Sequence, residues 1–248
     1  MRALALVALA LLLGQTAARA EVPGVCGVAS NLVDSDFGLA LTAKAIAKKT
    51  LTIVVIGAGS STLPGADAKA YPARLQAALT TQLPGVEVKV HADVKPGRTA
   101  SESIKPIISE LAALHPALIV WQAGTVDAMR SVDLDEFSAA LDKGIDAAHA
   151  AGSDVVLINA QYSPRTESII ALGTYADNMR WVALRHDIPL FDRYSIMKLW
   201  GELGTFDFTT ATKKLDMAEH VHDCIGQLLA ELVVSAAKSF MAPPPGVR

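Results

Sequence analysis

Cysteine, aromatic residues and net charge are all scarce in this chain. Two cysteines among 248 residues are too few for a structural zinc cage or a disulfide-dense miniprotein. No group of His, Cys and Asp has metal-ligand spacing, so neither a metal nor a cofactor is expected. Lysine and arginine total 22 against 25 aspartates and glutamates, a net charge of −3 with no basic stripe, which argues against nucleic acid as a partner. No apolar run reaches the roughly twenty residues of a membrane-spanning helix. The abundant residues are apolar, at 51% against 19% charged, which excludes a disordered chain. The length suits one domain with a full core.

The start of the chain reads as an address. Arg2 precedes an apolar run over 3–13, and Ala18-Arg19-Ala20 follows. A basic start, a short apolar core and an A-x-A exit are the layout of a cleavable secretory signal over 1–20. Eleven apolar residues are too few to span a bilayer comfortably. The expectation is a mature domain over 21–240, with no membrane span, in the periplasm or secreted. The tail 241–248 holds three consecutive prolines and reads as disordered. In an oxidising compartment Cys26 and Cys224 are expected to pair, two separate buried thiols being the alternative.

Five short runs rich in Val, Ile and Leu lie at 51–57, 86–92, 117–123, 154–160 and 188–191. They are nearly continuous rather than alternating, as in strands buried on both faces. Helical patterns lie between and after them, at 66–82, 99–114, 133–151, 168–186 and 215–238. This alternation predicts a parallel sheet with helices on both sides. Ligands then bind beyond the carboxyl ends of the strands, at the turns after Gly57, Ala92, Ala123 and Ala160.

The first of these turns reads Gly57-Ala58-Gly59-Ser60-Ser61-Thr62. A dinucleotide fingerprint fails there, because Thr62 stands where the third glycine belongs and no acidic residue follows at the ribose position. A plain strand-to-helix turn with hydroxyl caps fits. So does a nucleophilic serine beside backbone N–H groups able to stabilise an oxyanion.

The wider pattern resembles the SGNH (GDSL-type) hydrolase family, and within it an exported bacterial subgroup. The block 53–62 stands where that family has its nucleophile, with Ser60 as the nucleophile, Gly59 in place of the usual aspartate and Ser61 as the neighbouring alternative. Tyr71-Pro72-Ala73-Arg74-Leu75 follows as in those relatives. Pro96-Gly97-Arg98-Thr99 matches the oxyanion-glycine block, through Gly97. Trp121-Gln122-Ala123-Gly124-Thr125-Val126-Asp127 matches the Gly-x-Asn-Asp block. Gln161-Tyr162-Ser163-Pro164-Arg165 and Pro189-Leu190-Phe191 also look familiar, and the cysteines sit where the subgroup places a terminal pair. The resemblance covers about 26–235. It implies a flavodoxin-like three-layer α/β/α sandwich with a five-stranded parallel sheet. It also implies hydrolysis of a small ester or acylated carbohydrate.

The catalytic set departs from the family. Val126 replaces the oxyanion asparagine and has no donor. Losing one such donor costs about 2.7–4 kcal/mol of transition-state stabilisation. Counting back from Cys224, Lys213 stands for the family's aspartate and Asp216 for its histidine. An ionised carboxylate is a weak base for a hydroxyl near neutral pH. His220 flanks the inward stripe of the last helix, with Asp216 one turn before it, whereas His222 is expected to point away. His220 is therefore the candidate substitute base and Asp216 its orienter, a plain exposed helix histidine being the alternative. His91 is a further outside candidate, and His115, His149 and His186 fall at helix ends. Asp127 is expected to support its loop, and Trp121 and Trp181 to pack in the core or between helices. Two functions stand side by side: a serine ester hydrolase, or a binding protein that kept the fold and lost the triad.

Overall fold

The computed structural model describes residues 26–209 and 215–241. The expected signal over 1–20, Lys213 and the prolines of the tail lie outside these residues. The strands are β1 (Thr50–Gly57), β2 (Glu87–Val94), β3 (Leu118–Gln122), β4 (Asp154–Ile158) and β5 (Leu190–Phe191). The helices are α1 (Ala40–Ala47), α2 (Tyr71–Gln82), α3 (Ala100–Leu114), α4 (Thr125–Met129), α5 (Leu134–Ala150), α6 (Pro164–Glu167), α7 (Leu172–Arg185), α8 (Arg193–Glu202) and α9 (Asp216–Met241). All strand pairs are parallel, in the order β2-β1-β3-β4-β5. This is the flavodoxin-like sandwich expected from the sequence.

The strand sequences explain the two cores. In β1, Leu51, Ile53 and Val55 enter one apolar cluster with residues of α1, α2, α8 and α9. Val54 and Ile56 enter the other, with residues of α3, α5 and α7. The same alternation runs through β3, where Leu118 and Val120 face one side and Ile119 and Trp121 the other. Both faces being covered, β1, β3 and β4 are nearly continuous apolar runs. β2 departs from that expectation: it lies at the sheet edge, with Val88 buried but Lys89 and His91 turned outward. An edge strand needs only one covered face.

Local chemistry sets several helix starts. Thr99 accepts from the Glu102 N–H while the Glu102 carboxylate accepts from the Thr99 N–H, a reciprocal cap that begins α3. Asp133 caps α5 and Asp192 caps α8. The helical patterns at 66–82 and 168–186 become helices only from Tyr71 and Leu172. Met241, assigned to the tail, closes α9 instead. Cys26 and Cys224 form a disulfide across a separation of 198 residues. Trp121 is buried as expected. Trp181 is 68% exposed on α7, so it is a surface residue.

Candidate functional site

β1 sits between β2 and β3, so the chain leaves it in opposite directions across the sheet. That reversal opens the crevice where parallel sheets bind ligands. The turn after β1 enters it as a short 3₁₀ segment, Gly59–Ser61. Gly57 is required there by close approach: a Cβ on it would collide with the Ser61 side chain folded over it. Ser61 is buried and Ser60 half-buried. The two neighbouring hydroxyls therefore differ in role, Ser61 packing inward and Ser60 facing the crevice.

A hydrogen-bond chain fixes both. The Tyr71 hydroxyl lies 3.1 Å from Ser61 Oγ. Ser61 Oγ donates to Gln122 Oε1, and Gln122 Nε2 donates to Ser60 Oγ. The amide orientation has a chemical reason. Arg193, which can only donate, sends Nη1 toward Gln122 Oε1 at 3.4 Å, so the amide oxygen must face it. Ser60 Oγ thus accepts a hydrogen bond from Gln122 and keeps its own proton for another acceptor.

Arg193, the first residue of α8, lies fully buried beneath the turn. Nη1 donates to the Ser60 carbonyl at 2.9 Å and Nη2 to Gln161 Oε1 at 3.2 Å. Its guanidinium carbon is 5.8 Å from the Tyr71 ring centroid. Burial pulls its pKa down to about 10, and burial pushes the Tyr71 phenol up to about 12. Both keep their protons at neutral pH. One cation therefore links the turns after β1 and β4 to the end of β3.

The histidines sit otherwise than expected. His220 is exposed, whereas His222 is buried against α2. The order expected from the helix stripe is reversed, because α2 packs on the flank of α9 that carries His222. His222 Nδ1 accepts the Tyr71 N–H at 2.9 Å, which places the proton of a neutral ring on Nε2. Burial first, then the nearby Arg193 charge, lowers its pKa to about 3. A ring so held is neutral and a very weak base. Among the described residues no hydrogen bond joins an imidazole to Ser60 or Ser61. Asp216 opens α9 on its exposed side, and His91 stands on the sheet edge. His115 and His149 close helices, and His186 is bonded to Asp142.

Gly97 has φ +76°, a left-handed turn that suits glycine, and its carbonyl accepts from Arg130 at 2.7 Å. A Cβ placed on Gly59 would lie 3.9 Å from the Pro96 Cα, so the turns after β1 and β2 lie close to each other. Among the described residues, the N–H groups of Ser60 and Gly97 make no backbone hydrogen bond. Val126 is half-buried on α4 and offers no donor. Asp127 is buried and accepts from the Ala100 N–H at 2.9 Å and the Gly124 N–H at 3.1 Å. It ties the loop after β3 to the start of α3, and burial raises its pKa.

Gln122, Arg193 and His222 were not legible as site residues. Position was the available signal for two of them: Gln122 ends one apolar strand, and Arg193 follows another by two residues.

A serine turn at the switch point of a 2-1-3-4-5 sheet, facing a glycine turn after the second strand, defines an SGNH-type α/β/α sandwich. The chain belongs to the non-GDSL lipase-like family, whose sequence profile matches residues 25–239. No curated protein sequence matches it. Among solved structures it is similar to TesA, with 22% identity, 76% of this chain and 99% of that chain covered, and a TM-score of 0.58. It is also similar to a lipase/acylhydrolase from Enterococcus faecalis, with 22% identity, 76% and 96% covered, and a TM-score of 0.57. A third is Axe2, an acetylxylan esterase from Geobacillus stearothermophilus, with 15% identity, 73% and 94% covered, and a TM-score of 0.59. At these identities the likeness is one of fold.

Proposed function

We propose that this chain is an exported binding protein that keeps the SGNH hydrolase fold and cleft but not the hydrolytic step. It holds a small ester or acylated carbohydrate at the carboxyl ends of β1 and β3 without turning it over. The observation that carries this reading is the partner of Ser60, whose Oγ receives an N–H from an amide. Serine attack needs a group that removes the hydroxyl proton. Gln122 donates instead, and the one buried imidazole among the described residues, His222, is committed to the Tyr71 backbone with a pKa of about 3. The lost asparagine donor at Val126 points the same way. The Cys26–Cys224 disulfide and the sequence of 1–20 support export to the periplasm or beyond.

A second reading keeps a serine ester hydrolase. It is favoured by the N–H groups of Ser60 and Gly97, which among the described residues make no backbone hydrogen bond and could hold an oxyanion. Ser60 would then be the nucleophile, with Gly59 and Ser61 shaping its turn, and His220 oriented by Asp216 would have to reach it as base. Turnover of p-nitrophenyl acetate, p-nitrophenyl butyrate and acetylated xylo-oligosaccharides separates the two. The binding reading expects wild type and Ser60→Ala to be equally inert. Turnover that disappears in Ser60→Ala would overturn it in favour of the hydrolase.

A further inference from the structure

β2 is an open edge. Among the described residues no strand lies on its outer side. Its ladder with β1 uses the odd-numbered residues: the Glu87 N–H donates to the Lys49 carbonyl and the Lys95 N–H to the Gly57 carbonyl. Backbone groups alternate along a strand, so those of Val88, Val90, Ala92 and Val94 point outward. Val90 shows this directly. Its N–H donates to Gln76 Oε1 at 2.8 Å, a side-chain carbonyl standing where a neighbouring strand's would be. The N–H groups of Val88, Ala92 and Val94 meet no such acceptor among the described residues. Gln76 and Ala92 are exposed and Val90 is half-buried, so the edge is open at its centre.

The charges along this edge complement themselves. Between the apolar positions stand Glu87, Lys89, His91 and Asp93, with Lys95 just past the strand. Counted outward from His91, each acid on one side has a base at the same distance on the other. Charges on an edge ordinarily discourage pairing. Here, two copies laid antiparallel with His91 on the two-fold axis set Lys89 opposite Asp93 and Glu87 opposite Lys95, in both halves. Asp93 binds Arg98 through one carboxylate oxygen and keeps the other for Lys89 of the second copy. The same register makes hydrogen-bonded pairs of Val90 with Ala92 and Val88 with Val94, through the outward groups of both strands. The charged positions become the closer, non-hydrogen-bonded pairs. Neighbouring registers lose this match. Centred on Val90, Glu87 would face Asp93; centred on Ala92, Lys89 would face Lys95.

We infer that β2 is a self-association surface, at which two copies of this chain pair antiparallel about His91 and join two five-stranded sheets into one. The occupant is a second copy because the charge order matches itself. Antiparallel pairing turns the carboxyl ends of the two sheets in opposite directions, so both crevices stay open. A ladder this short is a small interface, so the dimer is expected to dissociate on dilution. The test is sedimentation velocity of the mature protein, disulfide intact, from low to high micromolar concentration, where a monomer–dimer equilibrium is expected. Ala92→Pro removes an outward N–H at an exposed edge position that tolerates proline, and should leave a monomer with an unchanged thermal melt. Glu87→Lys should weaken the dimer about tenfold by setting like charges opposite, and Glu87→Lys with Lys95→Glu should restore it. Should Ala92→Pro fail to fold, the charge reversal and its rescue still decide. His91→Cys brings two thiols together at the two-fold, with Cα atoms about 4.5 Å apart and within disulfide reach, and should give a covalent dimer in air; Lys89→Cys should not. A monomer at every concentration would overturn the inference and leave the edge to a strand of another protein. A dimer indifferent to both Ala92→Pro and Glu87→Lys, or equal cross-linking by His91→Cys and Lys89→Cys, would overturn it too.

Discussion

Replacing His222 by glutamine tests the electrostatics beneath the site through the pH dependence of folding. The ordinary histidine pKa is 6.5, and in the folded protein burial and Arg193 hold it at about 3. Between those values the unfolded chain carries the extra proton and the folded chain does not. Stability contributed by the neutral ring is therefore complete above pH 6.5 and is lost as the pH falls through that window. Each unit of difference is worth about 1.4 kcal/mol, so the drop from pH 6.5 to 4.5 removes about 2.7 kcal/mol through this residue. For a domain of this size that is a fall of about 5–10 °C in Tm. His222→Gln keeps an acceptor for the Tyr71 N–H and removes the titration. Urea unfolding at pH 7 and 4.5, on wild type and variant, isolates the His222 part, because the other titrating groups are common to both. The variant should lose about 2.7 kcal/mol less on acidification. An equal loss in the two proteins would refute the burial and the Arg193 effect together.

Removing the disulfide by Cys26→Ala with Cys224→Ala should cost about 5 kcal/mol by the loop-entropy account for so long a loop, read by urea unfolding; a loss under about 1 kcal/mol would contradict it. Gly144→Ala should destabilise by about 1–3 kcal/mol in thermal melts, because its Cβ would lie 2.6 Å from Trp121 Cη2, whereas the Cβ of Gly59→Ala would make ordinary contact with Pro96 at 3.9 Å and should leave the melt nearly unchanged. Asp127→Ala strips acceptors from the Ala100 and Gly124 N–H groups and should lower stability by about 2–4 kcal/mol, measured the same way.

The sheet was legible because strands covered on both faces must be apolar throughout. β1, β3 and β4 carry that signature over most of their length, with Thr52 the polar residue inside β1, and their turns followed from the topology. Short helices were not legible. α1 is alanine-rich, and α4 is only a turn and a half, so neither imposes a strong apolar period. In the site, Ser60 and Gly97 could be found because the chain around them resembles a family. Gln122 and Arg193 could not, since a polar residue at a strand end reads equally as a cap or a solvated neighbour. Their meaning comes from being brought together across β1, β3 and β5. His222 was misplaced for a related reason. The stripe of Val221, Ile225, Leu228 and Leu232 marks one buried face of α9, but α2 covers a further flank that the stripe does not announce.

The central claim is that no base activates Ser60, and a fluorophosphonate probe tests it without knowledge of the substrate. The mature, oxidised protein would be incubated with the probe and its intact mass recorded beside Ser60→Ala. With Gln122 donating to Ser60 Oγ and His222 neutral and engaged, the mass should stay unchanged in both. A stoichiometric adduct on wild type that vanishes in Ser60→Ala would contradict the account.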